Sequence, residues 1–166
     1  MTSEKAIELY HWFKENGIAV WIVGGFCVDA LLGKQTREHG DLDIAVHRQD
    51  NAPLRQLLEN NGYEEERRED SSEYMYFMKN KAGQGIDIHA FEYDAHGKNT
   101  YGVAFPFGSL TGTGLIEGQE VNCVSPEFMF QFITCYEPRE KDLSDLRALS
   151  EKFGFEWPRG KYSTNS

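Results

Sequence analysis

The sequence predicts an α+β domain. Short apolar or alternating segments with strand character crowd the first two thirds of the chain. Two helical segments close it, and the order in between is not a regular βαβ alternation. The chain has 166 residues, of which 40% are hydrophobic and 13% aromatic. That is enough for one folded domain with a core, and it argues against disorder. No internal repeat or low-complexity segment is present.

Residues 3–16 read as the first helix. Ser3 is its candidate cap, Ile7, Tyr10 and Phe13 beside Ala6 make an apolar stripe, and Asn16-Gly17 ends it. Residues 18–23 form a continuously apolar strand, the pattern of a central position in a sheet. Gly24-Gly25 breaks it. Residues 26–32 form a short helix closed by Gly33, residues 34–40 a polar loop carrying Lys34, Arg37 and His39, and residues 41–46 a second strand. A third helix is expected over residues 51–61, capped by Asp50 or Asn51, with Pro53 in its first turn and Leu54, Leu57 and Leu58 facing inward.

Residues 63–68 begin a strand, and Glu69-Asp70-Ser71-Ser72 is a charged turn. Residues 74–79 and 86–93 are strands joined by a glycine-containing loop. In the first of these, Tyr74, Tyr76 and Met78 alternate with Met75 and Phe77, as in a strand with core on both faces. Asp94-Ala95-His96-Gly97 is a turn by composition. Residues 98–114 are rich in glycine and poor in helical signals, with apolar Val103, Phe105, Phe107 and Leu110. Residues 115–124 read as a hairpin around Glu117-Gly118-Gln119. Pro126 opens a helix carrying Phe128, Phe132 and Ile133 that ends near Tyr136. After Pro138 the last helix covers residues 141–153, with Leu143, Leu146 and Leu149 at helical spacing and Gly154 as its stop. The expected organisation is a core over residues 1–97, an extension over 98–158 packed on it, and a flexible tail over 159–166.

Composition narrows the function classes. With 17 basic and 27 acidic residues the formal net charge is −10. A phosphate backbone needs a basic surface, so nucleic acid is not the expected partner. A nucleotide remains compatible, because bound metal bridges acidic protein and triphosphate. Acidity alone also serves solubility. Glu137, Glu140, Asp142 and Asp145 make an acidic patch near the C-terminal helices, read as a solvated face or as help in holding a cationic acceptor. No apolar run is long enough to span a bilayer, and Met1 to Lys5 lack a signal peptide's apolar segment, so a cytoplasmic protein is expected. Cys27, Cys123 and Cys135 are odd in number and lack CxxC spacing. They read as reduced thiols in or near the core.

The chemistry concentrates in three places. Asp41 and Asp43 lie two apart in a strand, so both project from one face while Leu42 and Ile44 project from the other. Paired carboxylates repel, and a hard cation such as Mg²⁺ answers that repulsion with oxygen ligands. Ile86-Asp87-Ile88-His89 repeats the pattern, with Asp87 and His89 on one face. If that strand pairs beside residues 41–46, three carboxylates converge, the number a two-metal site needs. Gly24-Gly25, after a buried strand and before a helix, lets phosphate approach backbone N–H groups, although neither the GxGxxG nor the P-loop pattern is met. Arg37 and His39 lead directly into the carboxylate strand and suit phosphate contact, with a structural salt bridge as the alternative for Arg37. Asp29, in the short helix, is expected to bond nearby backbone or Arg37 rather than metal. His89, on the same face as Asp87, is a candidate for handling a proton or contacting a substrate, with a polar residue that fills the wall of the site as the alternative.

Gly24-Gly25, Asp41-Leu42-Asp43 and Asp87 in an apolar strand together resemble the nucleotidyltransferase (DNA polymerase β-like) superfamily. The fuller string Trp21-Ile22-Val23-Gly24-Gly25, Asp29, Gly33-Lys34, Arg37-Glu38-His39, Asp41-Leu42-Asp43 is similar to a narrower branch. That branch holds the lincosamide and aminoglycoside 2″-nucleotidyltransferases, with Ile86-Asp87-Ile88-His89 nearer the short lincosamide enzymes. The match covers residues 20 to 92.

The resemblance implies a mixed β-sheet nucleotidyltransferase core flanked by helices, ATP or another NTP, and Mg²⁺, two ions being expected. It implies transfer of a nucleoside monophosphate to a hydroxyl. Asp41, Asp43 and Asp87 would hold metal, Arg37 and His39 would contact the triphosphate, and Asp87 would take the hydroxyl proton. A metal-bound carboxylate has a depressed pKa and accepts a proton poorly, so the metal's own effect on the hydroxyl competes with that role. Many members of the superfamily have Gly-Ser where this chain has Gly24-Gly25, which leaves only backbone to act there. The expected acceptor is a small molecule, a lincosamide or aminoglycoside antibiotic, and a homodimer would complete the cleft. Two rivals are a toxin-like nucleotidyltransferase acting on protein or tRNA, and a nucleotide-binding regulator without catalysis. The regulator's mark would be loss of a carboxylate, and all three are present.

Overall fold

The computed structural model describes residues 1–157. The expected tail at 159–166 lies outside the described residues. An eight-stranded mixed sheet forms the frame. Its strands are β1 (Val20–Ile22), β2 (Asp41–His47), β3 (Tyr63–Glu65), β4 (Met75–Asn80), β5 (Gly85–Tyr93), β6 (Asn99–Gly102), β7 (Gly112–Ile116) and β8 (Gln119–Cys123). The order across the sheet is β3-β4-β5-β2-β1-β8-β7, with β6 also paired to β5. The β2–β5 and β1–β8 pairs are parallel and the others antiparallel. β1 is central, as its unbroken apolar run predicts. Strands from both sides of position 98 thus share one sheet.

Helices α1 (Ser3–Glu15), α2 (Gly24–Leu32), α3 (Arg48–Asn60), α4 (Pro126–Thr134) and α5 (Glu140–Phe153) flank it. α3 packs on β2, β3 and β5, while α2 packs on β2, β7 and β8 and also meets α4 and α5. Leu42, Ile44, Ile86 and Ile88 are fully buried in one continuous core with Phe13, Phe26, Leu54 and Leu58.

Several local readings are corrected. Thr2, not Ser3, caps α1 by accepting from the Lys5 N–H at 3.3 Å, and Ser3 is buried with its hydroxyl on Gln35 at 2.7 Å. α3 begins at Arg48, directly after β2, without a side-chain cap. Asn51 is taken by tertiary bonds instead, donating to the Glu73 carbonyl and accepting from the Tyr76 hydroxyl. Pro53 therefore lies inside the helix rather than in its first turn. The glycine-rich stretch 98–114 holds β6, a short 3₁₀ turn (Ser109–Thr111) and the first residues of β7, each too brief to leave a periodic signal. Cys27 and Cys123 are buried free thiols, as expected, but Cys135 is exposed.

Candidate active site

The parallel register of β2 and β5 pairs Asp43 with Asp87 and Ile44 with Ile88. Cross-strand partners share a face, so the two carboxylates stand side by side while their neighbours enter the core. Asp41 pairs with Gly85 on the same face, and His89 follows Asp87 along it. One ligand atom from each of Asp43, Asp87 and His89 lies within 4.8 Å of the other two.

Burial, then the charges of Asp41 and Asp87, pushes the Asp43 carboxyl up to about 7, with Lys141 and Arg37 pulling the other way. Burial also raises Asp87 against the pull of His89 and Arg68, and burial lowers His89 against the pull of Asp87. Like charges held together in a poorly hydrated spot favour proton uptake or a cation. The donor set is mostly carboxylate oxygen, which suits a hard divalent ion, so the residues fit one.

Arg68, between β3 and β4, supplies a cation from the chain itself. Its guanidinium lies 3.4 Å from Asp87 and 4.0 Å from Asp41, and stacks on the Phe77 ring at 3.5 Å. Phe77 pairs with Asp87 and its ring crosses Gly85, where a Cβ would overlap it. Sequence reasoning missed Arg68. The only available signal was its position next to a charged turn.

The predicted phosphate residues form a second group. Arg37 reaches α5, with Nη2 donating to Asp145 Oδ2 at 2.9 Å and Nε pointing at Oδ1 at 3.4 Å. Its Nη1 lies 3.0 Å from His39 Nδ1. His39 is buried, with the Phe26 ring tilted against it at 4.2 Å and Nε2 bonded to Asp29 Oδ2. Asp29 also accepts from the Thr36 N–H at 3.0 Å and the Thr36 hydroxyl at 2.6 Å. It thus bonds nearby backbone, as expected, and reaches Arg37 only through His39. The diglycine turn opens α2 under both groups. A Cβ on Gly24 would overlap the Asp43 carboxylate, and one on Gly25 would lie 2.5 Å from His39 Nδ1.

Between this turn and the C-terminal helices lies a cleft of about 270 Å³. Gly24, Arg37, Asp41 and Asp43 line one side, and Met129, Ile133, Tyr136, Arg139 and Lys141 the other. None of the last five was read as a site residue from the sequence. The acidic patch there is not a solvated face throughout. Asp142 and Asp145 are 5% and 6% exposed, and each carboxylate is already engaged by an arginine. Burial works against the Asp142 carboxylate, yet its bonds to Arg139 hold it below its ordinary value.

The sequence pattern of the aminoglycoside-2″-adenylyltransferase family matches residues 6–149. A lincosamide resistance protein of Staphylococcus haemolyticus is 28% identical over 155 residues, spanning 90% of this chain and 94% of that protein. The lincomycin-bound structure of the lincosamide antibiotic adenylyltransferase LnuA superposes with a TM-score of 0.75 at 26% identity, covering 90% of this chain and 97% of the other. The structure of ANT(2″)-Ia with adenylyl-2″-tobramycin gives 0.70 at 20% identity, covering 91% and 90%, a likeness of fold. With the match extending over most of its length, the chain belongs to the aminoglycoside-2″-adenylyltransferase family and is a nucleotidyltransferase.

Proposed function

We propose that the protein moves a nucleoside monophosphate from an NTP, ATP first, to a hydroxyl of a lincosamide or aminoglycoside antibiotic, and so confers resistance from the cytoplasm. The observation that carries this is the β2–β5 register, which sets Asp87 beside Asp43, a carboxylate in the wall of the cleft that Gly24, Gly25 and Arg37 also line. The lincosamide class ranks first, because the relatives described by that name are 28% and 26% identical to this chain, against 20% for ANT(2″)-Ia.

Asp41, Asp43 and Asp87 would hold Mg²⁺, two ions in the fullest form of the site. Bound there, it would lower the pKa of the attacking hydroxyl and neutralise charge on the leaving oxygens. The chain's own groups do the rest. Arg37 steadies the triphosphate from one wall of the cleft and Lys141 from the other. Backbone N–H groups at the start of α2 face phosphate, where the helix end favours negative charge. The acceptor oxygen forms its bond to the α-phosphorus as the bond to the β-phosphate oxygen breaks, and pyrophosphate leaves. Asp87 or His89, adjacent on β5, receives the hydroxyl proton. Residues 98–157 select the acceptor, and a homodimer covers the open side of the cleft.

Incubation with each labelled NTP and a panel of lincosamides and aminoglycosides, read by mass spectrometry, should give one nucleotidylated drug with Mg²⁺ and none with EDTA. Tight nucleotide binding with no product from any acceptor would replace this reading with a regulator.

Arg68 gives a metal test independent of turnover. It is a partly exposed cation competing for the same carboxylates, so Arg68→Ala should tighten Mn²⁺ binding to the nucleotide-free protein about two- to fivefold, the ratio for about 0.5–1 kcal/mol. Titration followed by electron paramagnetic resonance reads it, and weaker binding in the variant would refute the competition.

A further inference from the structure

We propose that Asp29 and His39 are positioning residues for Arg37, with His39 Nδ1 accepting from the guanidinium and Nε2 donating to Asp29. His39 then serves the triphosphate through Arg37 and not by donating to phosphate itself. The inference rests on the reading of Arg37 as a triphosphate ligand.

The tautomer follows from the bonding. A guanidinium has five N–H donors and no acceptor. Its Nη1 lies 3.0 Å from His39 Nδ1, so Nδ1 must offer its lone pair. The ring proton is then on Nε2 and is donated to Asp29 Oδ2. A doubly protonated ring would set two cations and two donors against each other at this contact.

The surroundings fix that arrangement. Asp29 is 3% exposed, and its other oxygen takes two bonds from Thr36. The carboxylate is therefore anchored on α2 before it meets His39. Phe26, one turn earlier on α2, packs against the imidazole at 4.2 Å. On the opposite edge of the guanidinium, Asp145 of α5 takes Nη2 and Nε. Arg37 is thus gripped from α2 through His39 and from α5 directly. One Nη2 hydrogen has no partner among the described residues, and Arg37 lines the cleft. Gly25 closes the arrangement from below, since a Cβ there would strike both His39 Nδ1 and Arg37 Nη2, the latter at 2.7 Å. A plain salt bridge between Arg37 and Asp145 would need none of Asp29, His39 or Gly25. The chain of contacts fixes the orientation of the guanidinium plane, which is what bidentate or directed phosphate recognition requires.

The first measurement uses the metal-free, nucleotide-free protein. Nitrogen-15 NMR of labelled imidazoles should show His39 protonated on Nε2 and bare on Nδ1, and a protonated Nδ1 overturns the proposal. The second is kinetic and uses two amides as mimics. His39→Asn sets an amide oxygen near the place of Nδ1 and keeps an acceptor for Arg37, whereas His39→Gln reaches the Nε2 position and loses that acceptor. The KM for NTP should rise about tenfold in His39→Gln and in Asp29→Asn, and no more than about threefold in His39→Asn. The KM for the acceptor should move less than about twofold in all three, as the proposal assigns this group to the triphosphate. Equal damage in the two His39 variants, or a change centred on the acceptor KM, overturns the proposal. Calorimetry with a non-hydrolysable ATP analogue separates the underlying reading: if Arg37→Ala binds it as tightly as the wild type, Arg37 is not a triphosphate ligand, whatever the tautomer of His39.

Discussion

Asp43→Asn should abolish nucleotidyl transfer and, at the same time, make the metal-free protein more stable at pH 8 and above. The two effects have one cause. The Asp43 carboxyl is pushed from 3.8 to about 7, first by burial and then by the charges of Asp41 and Asp87. Between those pH values the folded state binds a proton that the unfolded chain has released. Stability therefore falls as pH rises through that window, and above about pH 7 the whole penalty of the buried charge is present. It amounts to a few kcal/mol, at about 1.4 kcal/mol per pKa unit. An asparagine carries no such charge. In EDTA, the melting temperature of the wild type should drop between pH 5 and pH 8.5 and recover when Mg²⁺ is added. The variant should show a smaller drop and little recovery. Transfer should fall by about 10³-fold or more, because metal stabilisation of developing charge is worth several kcal/mol. Activity near wild type in Asp43→Asn would remove this residue from the metal site. A wild-type melting temperature independent of pH in EDTA would remove the strained carboxylate.

The carboxylate cluster was legible because strand alternation carries it. Residues two apart share a face, and a Leu or Ile between them shows which face is core, so Asp41, Asp43, Asp87 and His89 could be grouped before any register was known. The register itself, and hence the contact between Asp43 and Asp87, is long-range and required the fold. Helices α4 and α5 were legible for the parallel reason that their leucines and phenylalanines recur at helical spacing. Asp142 and Asp145 were misjudged because local composition reports charge and not its partners. Arg37 lies 108 residues before the aspartate that it pairs with. Arg68 was hidden likewise, since stacking on Phe77 leaves no periodic trace. The diglycine was noticed for its backbone, whereas its contacts show a second requirement, that no Cβ stand beside Asp43 or His39.

That second requirement predicts that Gly24→Ala damages catalysis far more than it damages the fold. Gly24 has φ +60°, a left-handed conformation that costs an alanine about 1–2 kcal/mol. For a domain of this length that is a loss of about 2–8 °C in melting temperature. The added methyl would also overlap the Asp43 carboxylate, so the carboxylate or the turn must move. A displacement of about 1 Å at a reacting centre can cost about 10²-fold in rate, and kcat should fall by at least that amount. Mn²⁺ affinity should fall with it, as the displaced carboxylate leaves the cluster. Gly33 isolates the cause. It closes α2 at φ +74°, and a Cβ added there would meet nothing within 4 Å. Gly33→Ala therefore carries the backbone strain without the collision, and it should lose similar stability while keeping kcat and Mn²⁺ affinity. If the two variants lose activity equally, strain in α2 and not contact with Asp43 is the reason for the glycine. If only Gly24→Ala loses it, the turn is small because the carboxylate must stand where a side chain would be.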